Sequence, residues 1–197
     1  MENELLYRMS FIIMIILVIG IRLFGHQQAG TLSDKRESYS EGLITKIMRP
    51  LPILVLIGAV AYVINPQLMA WSSIALPDWL RVIGIGLSGI SILGMAWVHR
   101  ALSKHFSGRL EIREDHRLVK DGPYRWVRHP MYTVVLLMFF AIFLLTTNWF
   151  IGLGGLLMVL IVVIARTPRE EAMLLQIFGD EYQTYMQQTP RYLPRLR

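Results

Sequence analysis

Cysteine is absent from the 197 residues. That removes disulfides, thiolate metal sites, iron–sulfur ligation and a cysteine nucleophile together. It says nothing of compartment, because a membrane protein needs no disulfides. Charge is the second scarcity. Asp, Glu, Lys and Arg make up only 17% of the chain, against about 25% in soluble domains. Hydrophobic residues make up 54% and gather in long runs, the way a bilayer protein stores them. Acidic residues are scarcer than basic ones, 14 against 20, for a net charge of +6. The basic residues flank the apolar runs, which fits lipid headgroups and membrane orientation better than nucleic acid. Internal repeats and low-complexity tracts are also missing, and the length suits a single domain, 1–197.

Five apolar runs are present: Met9–Phe24, Leu51–Ile64, Leu80–Val98, Met131–Leu145 and Trp149–Ala165. Several fall short of the roughly 20 residues that cross a bilayer comfortably. Snorkelling Arg, interfacial aromatics and local thinning can make up the difference. Trp71, Trp79, Trp97 and Trp149 stand at or near run edges, as an aromatic belt requires. A signal peptide is a poor reading of the first run, because Glu2 and Glu4 replace a basic leader region and no small-residue cleavage site follows. The pattern predicts an all-α polytopic membrane protein with five transmembrane helices. Three lie in residues 1–100, and the remainder, 101–197, carries the chemistry.

Orientation follows from Lys and Arg. With five spans, one face holds only Arg8 and Arg81, and the other holds the remaining 18 of 20. The positive-inside rule then places the N-terminus outside and the C-terminus in the cytosol. Runs four and five are joined only by Thr146, Thr147 and Asn148, which predicts a tight antiparallel helical hairpin. The outer face therefore has little material for a site, and function is expected at the cytosolic face. There, Asp121-Gly122-Pro123 is a turn signal. The tail predicts a separate helix, N-capped by Thr167, with Pro168 in its first position and Glu170 completing a capping box. Leu174, Leu175, Phe178 and Tyr182 line its apolar face, and Gly179 marks a break.

Gly84-Ile85-Gly86-Leu87-Ser88-Gly89 matches the dinucleotide-binding fingerprint but lies inside an apolar run, where small residues serve close helix packing instead. Tyr124-Arg125-Trp126-Val127-Arg128-His129-Pro130-Met131-Tyr132 opens run four. Arg125, Arg128 and Trp126 suit an interfacial anchor. His129 does not need to be there for that purpose and can serve an anionic group at a helix N-terminus. Arg166-Thr167-Pro168-Arg169-Glu170-Glu171 closes run five. Arg166 and Glu170 are four apart and can form a surface pair, or serve a ligand at the membrane boundary. The hairpin returns run five to where run four began, so His129 and Tyr132 are expected to face Arg166 and Glu170 across one small space. His99, His105, His116 and His129 are spaced too irregularly for a metal site, and none is expected.

Leu118-Val119-Lys120-Asp121-Gly122-Pro123-Tyr124, Arg128-His129-Pro130-Met131-Tyr132, Arg166-Thr167-Pro168-Arg169-Glu170-Glu171 and Phe178-Gly179-Asp180-Glu181-Tyr182 with Tyr185 together resemble the isoprenylcysteine carboxyl methyltransferase family. The likeness runs from about His116 to the C-terminus and is nearest to the small prokaryotic members. Residues 1–100 resemble the family only in hydropathy. The resemblance implies an S-adenosylmethionine pocket lined by His116, Arg117, Leu118, Val119, Tyr124, His129, Pro130, Met131, Tyr132 and Glu170. It places Arg166 at the methyl acceptor and makes Arg166 and Glu170 the catalytic pair. Arg109 stands where the family has a polar cofactor contact, often glutamine. Pro168 and Arg169 stand where eukaryotic relatives are acidic.

The implied acceptor is a lipophilic carboxylate of the isoprenylcysteine type, entering from the bilayer while the cofactor enters from the cytosol. The membrane would be the cell membrane in a prokaryote and the endoplasmic reticulum in a eukaryote. The rival readings are a phospholipid N-methyltransferase, an NADPH-linked membrane reductase and a non-enzymatic membrane subunit. The last is disfavoured because the runs carry almost no polar groups at mid-membrane.

Overall fold

A computed structural model describes residues 3–28, 50–102 and 118–195, without the side chains of 26–28. The described residues form six α-helices: α1 Glu4–Gln28, α2 Leu51–Ile64, α3 Asp78–Leu102, α4 Pro130–Thr146, α5 Gly152–Phe178 and α6 Asp180–Gln188. Short 3-10 turns occupy Pro66–Ser72 and Gly122–Arg125. Each apolar run falls within one helix, except that Trp149–Ile151 belongs to the turn before α5. By length and apolarity α1, α3 and α5 can cross a membrane, whereas α2 and α4 are shorter apolar helices. At 1.5 Å per residue, the 14 residues of α2 rise only about 21 Å. The assembly is an integral membrane protein turned outward: Leu93 and Leu157 are 73% and 58% exposed, as lipid-facing side chains must be. Inward, Tyr7, Phe11, Met14 and Val18 of α1 meet Tyr62, Met69, Ile142, Leu145 and Ile151 in the main core.

The α4–α5 hairpin forms as the short link requires. Thr147 turns the chain with φ 50, a left-handed conformation, and Asn148 fastens the corner. The Asn148 carboxamide accepts from Ile151 N–H at 3.0 Å and donates to the Met69 carbonyl at 3.1 Å and to Ser72 Oγ at 2.8 Å. A Cβ on Gly152 would lie 2.3 Å from Phe143 Cα, and one on Gly155 would lie 2.2 Å from the Phe139 ring. Both positions are therefore held to glycine by the closeness of the two helices.

Three expectations change. The tail is not a separate helix: α5 continues unbroken through Pro168 to Phe178. Thr167 is buried and accepts from the Tyr192 hydroxyl at 2.8 Å, so it is a packing position rather than a cap, and Glu170 is committed elsewhere. Contacts on both sides of Pro168 outweigh the roughly 3 kcal/mol that an internal proline costs. In the glycine fingerprint, only Gly84 packs closely, since a Cβ there would lie 2.9 Å from Leu144 Cβ; Gly86 and Gly89 face open space. In the tail, Tyr182 is buried but Leu175 is exposed, so the apolar face expected there is only partly buried. Gly179, with φ 51, does break α5 from α6.

Candidate functional site

Pro130 starts α4 because its missing N–H would have no helical partner in the first turn, and it leaves His129 as the N-cap residue. One turn on, the Tyr132 hydroxyl donates to Glu170 Oε2 of α5 at 2.6 Å. Arg166 Nε lies 3.8 Å from the same oxygen, too long for a hydrogen bond. That buried Nε has no hydrogen-bond partner among the described residues. The His129 and Tyr132 rings stack with centroids 5.5 Å apart, and the Tyr192 ring lies tilted to His129 with centroids 5.9 Å apart. The hairpin thus brings His129, Tyr132, Arg166 and Glu170 together. Pro130 is buried, while Met131, Leu118 and Val119 are half-buried. Tyr124 sits in the 3-10 turn, and its carbonyl accepts from Tyr185 Oη. His116, Arg117 and Arg109 lie outside the described residues.

Glu171 has a role the sequence did not reveal. Residues one apart on a helix point about 100° apart, so Glu170 turns to Tyr132 while Glu171 turns to the C-terminal segment. Glu171 Oε1 accepts from Arg128 Nη2 at 2.8 Å and Nε at 3.1 Å, and lies 3.2 Å from His129 Nε2. Its Oε2 accepts from Arg191 Nη2 at 2.7 Å. Arg128, read from sequence as a headgroup anchor, is instead buried in this pair and also donates to the carbonyls of Met186 and Thr189. The backbone N–H groups of Arg128 and His129 donate to the carbonyls of Pro190 and Arg191 at 2.8 and 2.9 Å. Thr133 Oγ1 donates to the Tyr192 carbonyl at 2.7 Å. Residues 189–192 therefore form a strap across the start of α4. The dipeptide Glu170-Glu171 was the available clue: two adjacent carboxylates beside an apolar helix each need a partner.

Burial is the main reason the His129 imidazole is held below its ordinary pKa; Glu170 and Glu171 pull the other way. Burial first and the Glu170 charge second push the Tyr124 phenol far up, so it remains a protonated donor. The Tyr182 phenol is raised for the same leading reason, and its buried hydroxyl has no hydrogen-bond partner among the described residues. Arg166 Nε and Tyr182 Oη are thus donors without hydrogen-bond partners among the described residues, near a carboxylate and the grouped rings of His129, Tyr132 and Tyr192. That set suits a ligand carrying a flat base, hydroxyls and both signs of charge.

Residues 79–181 match the phospholipid methyltransferase family, and the chain belongs to it. The protein-S-isoprenylcysteine O-methyltransferase of Schizosaccharomyces pombe is 34% identical over 106 residues, covering 51% of this chain and 40% of that protein. The Homo sapiens enzyme of the same name is 25% identical over 175 residues, covering 81% of this chain and 61% of its own length. The chain therefore spans about two fifths to three fifths of these curated relatives. The fold resembles that of the eukaryotic intramembrane Ras methyltransferase ICMT (isoprenylcysteine carboxyl methyltransferase), with a TM-score of 0.54 at 24% identity, over 79% of this chain and 54% of that one.

Proposed function

We propose that the protein transfers a methyl group from S-adenosylmethionine to the carboxylate of a lipophilic, isoprenylcysteine-like acceptor. The observation that carries this reading is the unspent, buried Nε of Arg166, placed where α5 leaves the apolar stretch. The guanidinium already lies within ion-pair distance of Glu170, but a buried N–H left without a hydrogen bond is costly and can be met by an anionic ligand. At this end of the bundle, among the described residues, Arg128 and Arg191 are both paired with Glu171.

The cofactor supplies an electrophilic methyl group on a sulfonium. Glu170 would stand beside its positive charge, held in place by the Tyr132 hydroxyl. His129, Tyr132 and Tyr192 would provide the aromatic faces for its base, with Leu118, Val119, Tyr124, Pro130 and Met131 completing the wall. A carboxylate acceptor has a pKa near ~4 and needs no general base. The residues therefore have only to align it and exclude water, and alignment can supply about 7–11 kcal/mol. Arg166 can hold the acceptor by a charged hydrogen bond while leaving one oxygen free to attack. Its role is orientation, because strong neutralisation would blunt the nucleophile. The acceptor would arrive from the bilayer and the cofactor from the cytosol.

A phospholipid amine acceptor would have to lose a proton, and it would meet a cation at Arg166. An NADPH-linked reductase would need a free cation for the extra phosphate. Calorimetry of the detergent-purified protein separates these readings first. S-adenosylhomocysteine should bind and NADPH should not. Binding of NADPH alone would overturn the methyltransferase reading.

A further inference from the structure

The outer end of the bundle, expected to hold no site, contains a cavity of about 740 Å³. It lies beside the α4–α5 turn, some 25 Å from His129 along the 17 residues of α4 at 1.5 Å per residue. Glu4, Tyr62, Gln67, Asp78, Arg81 and Asn148 are among the residues that line it. Arg81 is buried, and its guanidinium stacks 3.9 Å from the Tyr7 ring centroid. Its Nε and Nη2 donate to the Leu145 carbonyl at 3.1 and 2.9 Å, and its Nη1 donates to Glu4 Oε2 at 2.7 Å. The other oxygen of Glu4 accepts from the Tyr62 hydroxyl at 2.9 Å.

Those contacts account for Glu4 and for three of the five N–H donors of a guanidinium. Two donors of Arg81 remain, in a wall that the cavity exposes. Asp78 is also left over: it is exposed at the start of α3, its carboxylate receives the Asn3 amide at 3.3 Å, and no cation pairs with it among the described residues. The cavity therefore offers donors for an oxyanion on one side and an unneutralised carboxylate for a cation on the other. Its height in the bilayer is marked by Trp71, Trp79 and Trp149, all exposed at this end. Tryptophan settles at the headgroup level.

We propose that this cavity binds the phosphate and primary ammonium of a phosphatidylethanolamine headgroup, apart from the methyl-transfer site. The phosphate accepts from Arg81, and the ammonium donates to Asp78. A choline headgroup cannot donate hydrogen bonds to Asp78, and a glycerol headgroup brings no cation. A purely structural role for Arg81, stitching α1 and α3 to the end of α4, leaves Asp78 with the Asn3 amide and the helix start but no counter-ion among the described residues.

The test is native mass spectrometry of the purified protein with equimolar phosphatidylethanolamine, phosphatidylcholine and phosphatidylglycerol of matched chains. Phosphatidylethanolamine should be retained about tenfold over either competitor, the loss expected for one charged hydrogen bond. Asp78→Asn should abolish the preference and Asp78→Glu should restore it, with S-adenosylhomocysteine affinity unchanged in both. Arg166→Ala should keep the preference, which separates this lipid from any acceptor at the other end. Equal retention of the three lipids, indifference to Asp78→Asn, or loss of the preference in Arg166→Ala would each overturn the proposal. Displacement of the lipid by soluble phosphoethanolamine at equal concentration would do so too, by assigning the site to a soluble amine phosphate.

Discussion

Two adjacent carboxylates divide the work at the candidate site. Glu170 meets Tyr132 and Arg166, and Glu171 meets Arg128, His129 and Arg191. Glu171→Ala would leave Arg128 as a buried charge without its counter-ion, which costs roughly 3–5 kcal/mol. Arg191 is half exposed, with a side-chain exposure of 50%, so its arm of the network is screened and Arg191→Ala should cost under ~1 kcal/mol. Thermal unfolding in detergent measures both; equal losses would contradict the division. Glu170→Gln keeps the shape and loses the charge, and should weaken S-adenosylhomocysteine binding about ten- to hundredfold by calorimetry. The His129 imidazole, held below its ordinary 6.5 by burial, gives a signed pH dependence. The folded protein prefers the neutral ring, so that stability is complete above 6.5 and is lost as pH falls from there toward the lowered folded value. His129→Gln should flatten the fall in melting temperature between pH 7 and 5. An unaltered slope would mean another group carries it. His129 and Tyr132 were legible as residues from their helix-start motif. Glu171 and the strap were not, because which of two neighbouring acids turns inward depends on a C-terminal segment far away in sequence.

At the scale of the element, glycine separates helix contact from lipid contact. Gly152→Ala would drive a methyl group into the Phe143 backbone at 2.3 Å, which no rotamer change relieves. The expected loss is about 1–3 kcal/mol or more. Gly86→Ala meets nothing within 4 Å and should be neutral or stabilise by up to ~1 kcal/mol. Melting temperatures of the two variants check this; similar effects would mean that the hairpin is not tightly packed. Hydropathy and a three-residue link made the hairpin readable in advance. Its continuation through Pro168 was not readable, because Thr167 and Tyr192 override a local stop signal through contact at a distance. The fingerprint glycines show the same limit, since their spacing marks close packing as a possibility but does not say which of them meets α4.

For the whole molecule, the charge count implies a sidedness that the absence of cysteine makes easy to measure. Gln67, exposed in the turn after α2, and Leu193, 74% exposed near the C-terminus, can each carry a lone cysteine for an impermeant maleimide. Gln67→Cys should label in intact cells and Leu193→Cys only after lysis; the reverse pattern would invert the assigned topology. The five apolar helices, and the meeting of His129, Tyr132, Arg166 and Glu170 at one end of the bundle, could be read from apolar runs and motif order. The polar cavity at the other end could not, because Glu4 on the one hand and Asp78 and Arg81 on the other look unrelated until α1 and α3 bring them together. The central claim is methyl transfer to a carboxylate held by Arg166. The direct measurement supplies labelled S-adenosylmethionine with two acceptors, a farnesyl-cysteine carboxylate and a phosphatidylethanolamine. Base-labile volatile label should appear with the first alone and be lost in Arg166→Ala and Arg166→Lys, while S-adenosylhomocysteine affinity stays near that of the unmodified protein. Base-stable label on the amine lipid, persisting in Arg166→Ala, would contradict it.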